Sequence, residues 1–159
     1  MTFSTADLHD EHEGKIQVAN ILMQSYGQKT RFSGPISTVK CFEDNSLVRA
    51  ALEEPGNGRV LVVDGGASIR CALVGDKLAE LGMRNGWAGL VINGCIRDST
   101  VVSTLDIGIK ALGTNPRRSV KKGEGERDIP LAFGDATIKP GDYLYSDEDG
   151  ILVSPAELF

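Results

Sequence analysis

The chain of 159 residues is poor in several features that mark particular protein classes. It has three cysteines and two histidines, with no CxxC spacing, so neither a disulfide scaffold nor a structural zinc site is expected. Its longest strictly apolar runs, such as residues 60–63, are far too short to span a bilayer, and no apolar leader precedes Lys15. We therefore expect a cytoplasmic protein without a membrane partner, whose cysteines are buried and reduced.

Positive charge and nucleotide-binding motifs are also scarce. Lysine and arginine number 17 against 22 acidic residues, and this net charge of −5 disfavours direct binding to a nucleic-acid backbone. The sequence contains no GxGxxG, GxxxxGK[ST] or GxSxG motif, so nothing in it indicates a dinucleotide fold, a phosphate loop or a hydrolase elbow. A small anionic ligand held by one or two local cations remains compatible with this composition.

The composition that is present is typical of a globular protein, with 41% hydrophobic and 25% charged residues. No repeat or linker divides the sequence, so we expect one domain over residues 1–159. A buried strand at residues 59–64, a helix from about Gly75 to Asn85 and a strand at residues 89–92 predict a central parallel βαβ unit. A loop over residues 93–98 is expected to follow. The predicted class is α/β.

The flanking regions give further predictions. Ser4 is expected to cap a first helix, and the apolar residues between positions 16 and 23 predict helical segments up to Gly27. Asp44 or Asn45 is expected to cap a short helix ending before Pro55. Strands are predicted at residues 31–43, broken by a turn or an edge position at 34–35, and at 107–112, 131–133, 143–146 and 151–154, with a charged loop at 121–128.

The ends of the two central strands carry the candidate chemistry. Gly75 precedes a helix whose free N–H groups can approach an anion, and an arginine such as Arg97 can grip the same anion. Asp98 can bind a hard divalent cation, so the set suits a small oxyacid plus a metal. Simpler interpretations stay open: Arg97 and Asp98 as an exposed ion pair, Asp76 as a first-turn carboxylate, and the cations of 117–122 as a solvated loop.

Five blocks of the sequence resemble the RraA-like family, which contains regulators of ribonuclease E activity and class II 4-hydroxy-4-methyl-2-oxoglutarate aldolases. These blocks are residues 39–45, 59–66, 85–89, 105–108 and 144–151. The resemblance implies a swivelling β/β/α-type domain with a mixed sheet core. It also implies a ring-shaped homotrimer with sites near the subunit interfaces.

The aldolases of that family are marked by an aspartate, twenty intervening residues and an Arg-Asp pair. Asp76, Arg97 and Asp98 match this motif. The resemblance implies that Asp98 ligates Mg²⁺ or Mn²⁺, that Arg97 contacts substrate, and that Asp76 orders metal-bound water. The substrate carboxylate would be held by backbone of Gly75, Asp76, Lys77 and Leu78. One departure is Val101, which stands where some aldolases have an acidic residue.

The resemblance implies metal-dependent retro-aldol cleavage of 4-hydroxy-4-methyl-2-oxoglutarate, a 2-oxo acid, to pyruvate, with oxaloacetate decarboxylation through the same enolate. No Schiff-base lysine is needed, so Lys77 need not be catalytic. The base that takes the C4 hydroxyl proton stays open between metal-bound hydroxide and a carboxylate of an adjacent subunit. The alternative function is a non-catalytic regulator that binds ribonuclease E and inhibits RNA processing.

Overall fold

A computed structural model describes residues 2–159, which form four helices and twelve strands. The helices are α1 (Thr5–Glu11), α2 (Ser46–Leu52), α3 (Asp76–Arg84) and α4 (Ser99–Val102). The strands are β1 (Gln17–Val18), β2 (Gln24–Ser25), β3 (Phe32–Lys40), β4 (Val60–Asp64), β5 (Ala72–Val74), β6 (Gly89–Ile96), β7 (Gly108–Thr114), β8 (Glu126–Arg127), β9 (Leu131–Phe133), β10 (Ala136–Ile138), β11 (Tyr143–Ser146) and β12 (Ile151–Ser154).

The main sheet is mixed, in the order β1-β12-β11-β3-β4-β6-β7-β2, with β5 beside β6 and β8 beside β3. The pairs β3–β4, β4–β6, β5–β6 and β6–β7 are parallel, and the pairs involving β11 and β12 are antiparallel. The predicted α/β class with a mixed sheet core is confirmed. The central βαβ unit is present as well, since β4 and β6 are parallel neighbours on either side of α3 in the chain.

Successive side chains of the central strands point to opposite faces of the sheet, and both faces are buried. They therefore pack into two separate apolar clusters. Leu61 and Val63 of β4 belong to the cluster that contains buried residues of α2, α3 and α4. Val60 and Val62 belong to the other, which contains residues of β9 and β10 and of strands β11 and β12. The central sheet is therefore covered by helices on one face and by strands on the other.

Two predictions about local structure are wrong, and a third is correct only in part. The helical segments expected between residues 16 and 27 are replaced by the two short strands β1 and β2. β3 runs unbroken through residues 34–35, so no turn divides it. The edge alternative fits Pro35, which pairs with Tyr143 of β11 on one side and precedes the first β4 pair, at Ile36, on the other. β6 continues to Ile96 through the predicted loop at 93–98. Its register with β7 shifts between Ile92 and Cys95, so the Asn93–Gly94 step is an irregularity within a strand.

The expectations for two helix caps and for buried cysteines are confirmed. Ser4 caps α1, its Oγ accepting a hydrogen bond from the Asp7 N–H. Asn45 is the N-cap residue of α2, although the side chain that bonds the helix start is that of Asp44. The three cysteines are buried and free, and burial raises the pKa of the Cys41 thiol to about 12. Among residues 2–159 no helix combines the length and apolar character needed to cross a membrane.

Candidate active site

The candidate site lies where two parallel strands end side by side. Val74 of β5 lies opposite Ile96 of β6, and the Arg97 N–H donates to the Val74 carbonyl oxygen at 2.9 Å. α3 begins at Asp76, two residues after β5, and Asp98 lies two residues after β6. Parallel pairing thus brings Asp76, Arg97 and Asp98 to one edge of the sheet, although they are distant in sequence.

The Asp98 carboxylate lies against the start of α3. Its Oδ2 accepts a hydrogen bond from the Asp76 N–H at 3.2 Å. Gly75, the N-cap residue, has extended backbone, and a Cβ built on it would lie 2.8 Å from Asp98 Oδ2. The missing side chain at Gly75 therefore leaves the room that the carboxylate occupies.

Asp98 itself has a left-handed backbone conformation, with φ 58° and ψ 38°. L-amino acids seldom adopt this region, and aspartate and asparagine tolerate it better than most. The conformation turns the chain directly from β6 into α4, for which Asp98 is the N-cap residue. Five other non-glycine residues in the described chain have a positive φ, two of them the aspartates Asp128 and Asp135, so this backbone region is not particular to the pocket.

The first amides of α3 bind carboxylates of the chain itself. Besides the bond from Asp76 N–H to Asp98, the Lys77 N–H donates to Asp76 Oδ1 at 2.8 Å. Unpaired N–H groups and the helix dipole favour negative charge at this end of a helix. The segment predicted to hold a substrate carboxylate thus already accommodates carboxylate groups, and an incoming one would take the place of Asp98 or Asp76.

The Arg97 guanidinium is only loosely engaged. Its Nε lies 4.0 Å from Asp98 Oδ2, and its Nη1 donates to the Pro116 carbonyl oxygen at 3.4 Å. Both side chains of the ion pair are about 40% exposed, at 41% for Arg97 and 40% for Asp98, so the pair contributes little to stability. A guanidinium carries five N–H donors, so Arg97 keeps donors for a ligand.

These residues share one pocket of about 250 Å³. Residues of α2 and of the segment after β7 also line the pocket. That segment was expected to be a solvated loop. The sequence feature that could have placed this segment at the pocket is its run of cations at residues 117–122. The lining residues are Asn45, Ser46, Arg49, Ala72, Gly75, Asp76, Lys77, Leu78, Arg97, Asp98, Arg118, Ser119 and Lys121.

Asp44 ties the loop after β7 to α2. Its Oδ2 accepts hydrogen bonds from the N–H groups of Lys122, at 2.8 Å, and Glu124, at 3.2 Å. Its Oδ1 accepts from the Ser46 backbone and hydroxyl. Burial raises the pKa of Asp44, but these hydrogen bonds outweigh it and bring the pKa down to about 2. An ionised Asp44 therefore positions one wall of the pocket.

The resemblance implies a divalent cation, so the possible metal ligands of the pocket can be compared with those that such a cation usually binds. Within residues 2–159 no three acidic, cysteine or histidine side chains gather to enclose a metal ion. Mg²⁺ usually binds one or two carboxylates and completes its shell with water and substrate oxygens. Asp98, with Asp76 beside it in an open pocket, fits that mode of binding and does not fit a closed protein cage.

Val101 lies in α4, one turn after Asp98, with 48% of its surface exposed. An apolar side chain at this position supplies neither a metal ligand nor a proton carrier. Within the pocket the only acidic side chains of the described chain are therefore Asp76 and Asp98.

Comparison with known proteins gives a consistent family. The profile of the RraA-like family, described as "Aldolase/RraA", matches residues 5–153. A protein of Alkalilimnicola ehrlichii with the name "Putative 4-hydroxy-4-methyl-2-oxoglutarate aldolase" is 56% identical over 154 residues, covering 97% of this chain and 96% of the relative.

Two solved structures resemble the whole fold. One, named as the S-adenosylmethionine: 2-dimethylmenaquinone methyltransferase from Geobacillus kaustophilus HTA426, has a TM-score of 0.97 at 50% identity, covering 98% of this chain and 97% of that one. The other, "the RNA-processing inhibitor RraA from Thermus thermophilis", has a TM-score of 0.96 at 42% identity, covering 100% and 96%. The relatives agree in fold and family, and their names differ in function.

Proposed function

The chain belongs to the RraA-like family, and from that membership we propose that it is a divalent-metal-dependent aldolase. The proposed reaction cleaves 4-hydroxy-4-methyl-2-oxoglutarate into two molecules of pyruvate. The observation that carries the proposal is the meeting of Asp76, Arg97 and Asp98 at the amino end of α3, in one pocket. Fold alone would not select this activity, because one fold hosts many functions.

The chain's own groups have distinct roles in this proposal. The amides between Gly75 and Leu78 receive the C1 carboxylate of the substrate, in place of the aspartate oxygens that bind there now. Arg97 donates to the C2 oxygen and the C1 carboxylate, where its fixed positive charge stabilises the developing enolate. Asp76 orients water next to the reacting carbons.

The bond changes of the proposed cleavage are those of a retro-aldol reaction. A base removes the C4 hydroxyl proton, the C4 oxygen forms a carbonyl, and the C3–C4 bond breaks. Its electron pair moves into C3 and the C2 carbonyl, which gives the enolate of one pyruvate and releases the other. Protonation of C3 then completes the second pyruvate. Oxaloacetate would lose carbon dioxide to form the same enolate, so decarboxylation is the proposed side activity.

Asp98 is the residue proposed to hold the cation, Mg²⁺ or Mn²⁺, with Asp76 placed to bind its water ligands. When bound, such a cation acts as a Lewis acid that stabilises negative charge on the C2 oxygen. Three buried free thiols agree with a reducing compartment, and we propose the cytoplasm as the site of the reaction.

A coupled assay with lactate dehydrogenase tests the proposal. Pyruvate release from 4-hydroxy-4-methyl-2-oxoglutarate and from oxaloacetate is measured with Mg²⁺, with and without EDTA. We expect release that requires the cation and is lost in Arg97→Ala. Release that is unchanged by chelation would reject metal dependence, and an absence of release from both substrates would reject the aldolase itself.

A second function is supported by the relative named as an RNA-processing inhibitor, which is 42% identical over the whole chain. We propose as the alternative that the chain binds ribonuclease E and inhibits RNA cleavage. Pull-down of the purified endoribonuclease and an RNA-cleavage assay test this alternative. No inhibition at micromolar protein would reject it, whatever the outcome of the aldolase assay.

A further inference from the structure

The Arg97 side chain is supported by a turn that lies outside the family motif. We propose that Asn115, the residue after β7, is a positioning residue that sets the place of the Arg97 guanidinium for the reaction. Asn115 acts through the Pro116 carbonyl oxygen, which accepts a hydrogen bond from Arg97 Nη1 at 3.4 Å. This inference rests on the proposed aldolase function and adds a residue that the motif of Asp76, Arg97 and Asp98 does not contain.

The Asn115 side chain joins two segments of the chain. Its Nδ2 donates to the Ile69 carbonyl oxygen at 2.7 Å, and its Oδ1 accepts a hydrogen bond from the Arg117 N–H at 2.9 Å. The second bond closes a turn with Pro116 at its centre, a role that suits asparagine side chains. The first bond fastens this turn to the loop that leads into β5. Asn115 is half-buried and does not line the pocket, so it influences a substrate only through other residues.

The backbone on both sides of the turn is tied to the strands that carry the candidate site. The Asn115 N–H donates to the Ile96 carbonyl oxygen at 3.0 Å, which extends the β6–β7 ladder to the residue before Arg97. The Arg117 carbonyl oxygen accepts a hydrogen bond from the Ala72 N–H of β5 at 2.7 Å. The turn is therefore held against the ends of β5 and β6, where Arg97 begins its side chain.

Pro116 makes this turn a rigid support. Its ring fixes φ at about −65°, and it also restricts the backbone of the residue before it, so few conformations compete with the observed turn. The Pro116 carbonyl oxygen therefore stays within reach of Arg97. At 3.4 Å the hydrogen bond is long, and the Arg97 side chain is 41% exposed, so the guanidinium is placed beside the pocket and can still turn to a substrate oxygen.

A preset guanidinium matters because its role in the proposed reaction depends on direction. Arg97 has to donate to the C2 oxygen and to the C1 carboxylate, and its planar fork of N–H groups does so in a narrow range of orientations. Without the turn the side chain would sample more rotamers, and substrate binding would have to order it. Because misplaced groups slow the chemical step, loss of Asn115 should lower kcat more than it raises KM.

Steady-state kinetics with 4-hydroxy-4-methyl-2-oxoglutarate test this role. Asn115→Ala removes both side-chain hydrogen bonds, and we expect kcat to fall by roughly tenfold or more while KM stays within about threefold. Asn115→Ser keeps a hydroxyl that can close the turn on Arg117 and is too short to reach Ile69, so its kcat should lie between the two. Asn20→Ala is the matched control, since the exposed Asn20 bonds Asp135 at 3.2 Å outside the pocket. Its kcat should equal that of wild type.

A double-mutant cycle with Arg97→Lys separates positioning from a general effect on the fold. Lysine keeps the charge and lacks the planar fork, so the orientation of a guanidinium no longer contributes. Asn115→Ala should then lower the kcat of Arg97→Lys by less than about twofold. An equal loss in both backgrounds would overturn the proposal, as would a rise in KM with kcat unchanged. If Asn115→Ala does not fold by circular dichroism, Asn115→Ser in both backgrounds gives the same comparison.

Binding of oxalate, a planar dianion that resembles the pyruvate enolate, gives a readout that needs no turnover. Calorimetry in the presence of Mg²⁺ measures the affinity of each variant. We expect Asn115→Ala to weaken oxalate binding by roughly fivefold or more, because the guanidinium has to be ordered on the ligand. Asn20→Ala should bind oxalate as wild type does.

Together the two readouts distinguish this inference from the proposed function. If wild type releases pyruvate and Asn115→Ala matches it in kcat and in oxalate affinity, the positioning role is wrong and the aldolase stands. If wild type releases no pyruvate while Asn115→Ala still weakens oxalate binding, the aldolase is wrong and the support of Arg97 by Asn115 stands. If wild type neither releases pyruvate nor binds oxalate, both proposals fall.

Discussion

At the scale of single residues, Asp98 joins an unusual backbone conformation to the proposed chemistry. Its φ of 58° is tolerated by asparagine, so Asp98→Asn removes the charge and keeps the turn from β6 into α4. We expect Asp98→Asn to reduce metal-dependent pyruvate release at least about 100-fold, with a free energy of unfolding within about 1 kcal/mol of wild type. Turnover and urea unfolding measured on the same preparation check both expectations.

Asp98→Ala is the comparison that separates charge from backbone. Alanine lacks the tolerance of asparagine for left-handed backbone, which costs roughly 1–2 kcal/mol. We expect Asp98→Ala to be as inactive as Asp98→Asn and less stable by about that amount. Equal stability of the two variants would show that the conformation at residue 98 is not strained.

Gly75 offers a test that leaves every charge in place. A methyl group at this position would approach Asp98 Oδ2 at 2.8 Å and the Arg97 Cγ at 3.4 Å, while the backbone, at φ −117°, accepts alanine. Gly75→Ala should therefore displace both side chains and lower kcat on the order of 100-fold, as small misplacements of reacting groups do. The melting temperature, followed by circular dichroism, should change little. Full activity in this variant would place the reaction elsewhere.

At the scale of elements, the buried strands and the βαβ unit could be predicted because their apolar runs end in clear turn residues. The β6 extension could not, because Asn93–Gly94 is typical of a turn. In the structure the Asn93 Nδ2 donates to Asp64 Oδ1 at 3.0 Å. This partner on the neighbouring strand β4 satisfies the Asn93 side chain, so β6 can continue through Asn93 inside the sheet. The course of β3 through Pro35 also depends on a neighbouring strand. The missing N–H of Pro35 costs no hydrogen bond to β4, because pairing with β4 begins only at Ile36.

The predicted site residues depend on a different kind of information. The Asp76, Arg97 and Asp98 motif was visible in the sequence, and β5–β6 pairing explains how its members meet. The cations of residues 117–122 were interpreted as part of a solvated loop because local charge balance favoured that. Only long-range contacts place Arg118 beside the pocket, through the bridge between its backbone and that of Ala72.

The loop after β7 yields a prediction for pH. Asp44 has a pKa of about 2 in the folded protein, below its usual range, so its stabilising effect is complete above about pH 5 and is lost as the pH falls toward 2. We expect Asp44→Asn to lower the free energy of unfolding at pH 7 by about 2 kcal/mol. Urea unfolding across pH should show this difference shrinking below pH 4. A difference that persists at pH 2 would assign the effect to packing.

At the scale of the whole molecule, the homotrimer that the resemblance implies remains our proposal. Large apolar side chains are exposed at Phe42, 58%, Ile69, 67%, and Val120, 51%. Their segments are in contact, since the Arg70 guanidinium stacks on the Phe42 ring and the Val120 N–H bonds the Glu43 carbonyl oxygen. Val120 also lies between Ser119 and Lys121, which both line the pocket, so a subunit covering this patch would lie next to the pocket.

Disrupting the proposed subunit interface at Phe42 tests whether a neighbouring subunit supplies the base for the C4 hydroxyl proton. We expect wild type to have about three times the 17.0 kDa chain mass by light scattering, and Phe42→Glu to be monomeric. Two sources of this base are open, metal-bound hydroxide and a carboxylate of an adjacent subunit, and the variant tests the second. The monomer should then lose cleavage by at least about 100-fold and keep its fold by circular dichroism, with Lys139→Glu as a trimeric, active control. A fully active monomer would instead locate the base within one chain.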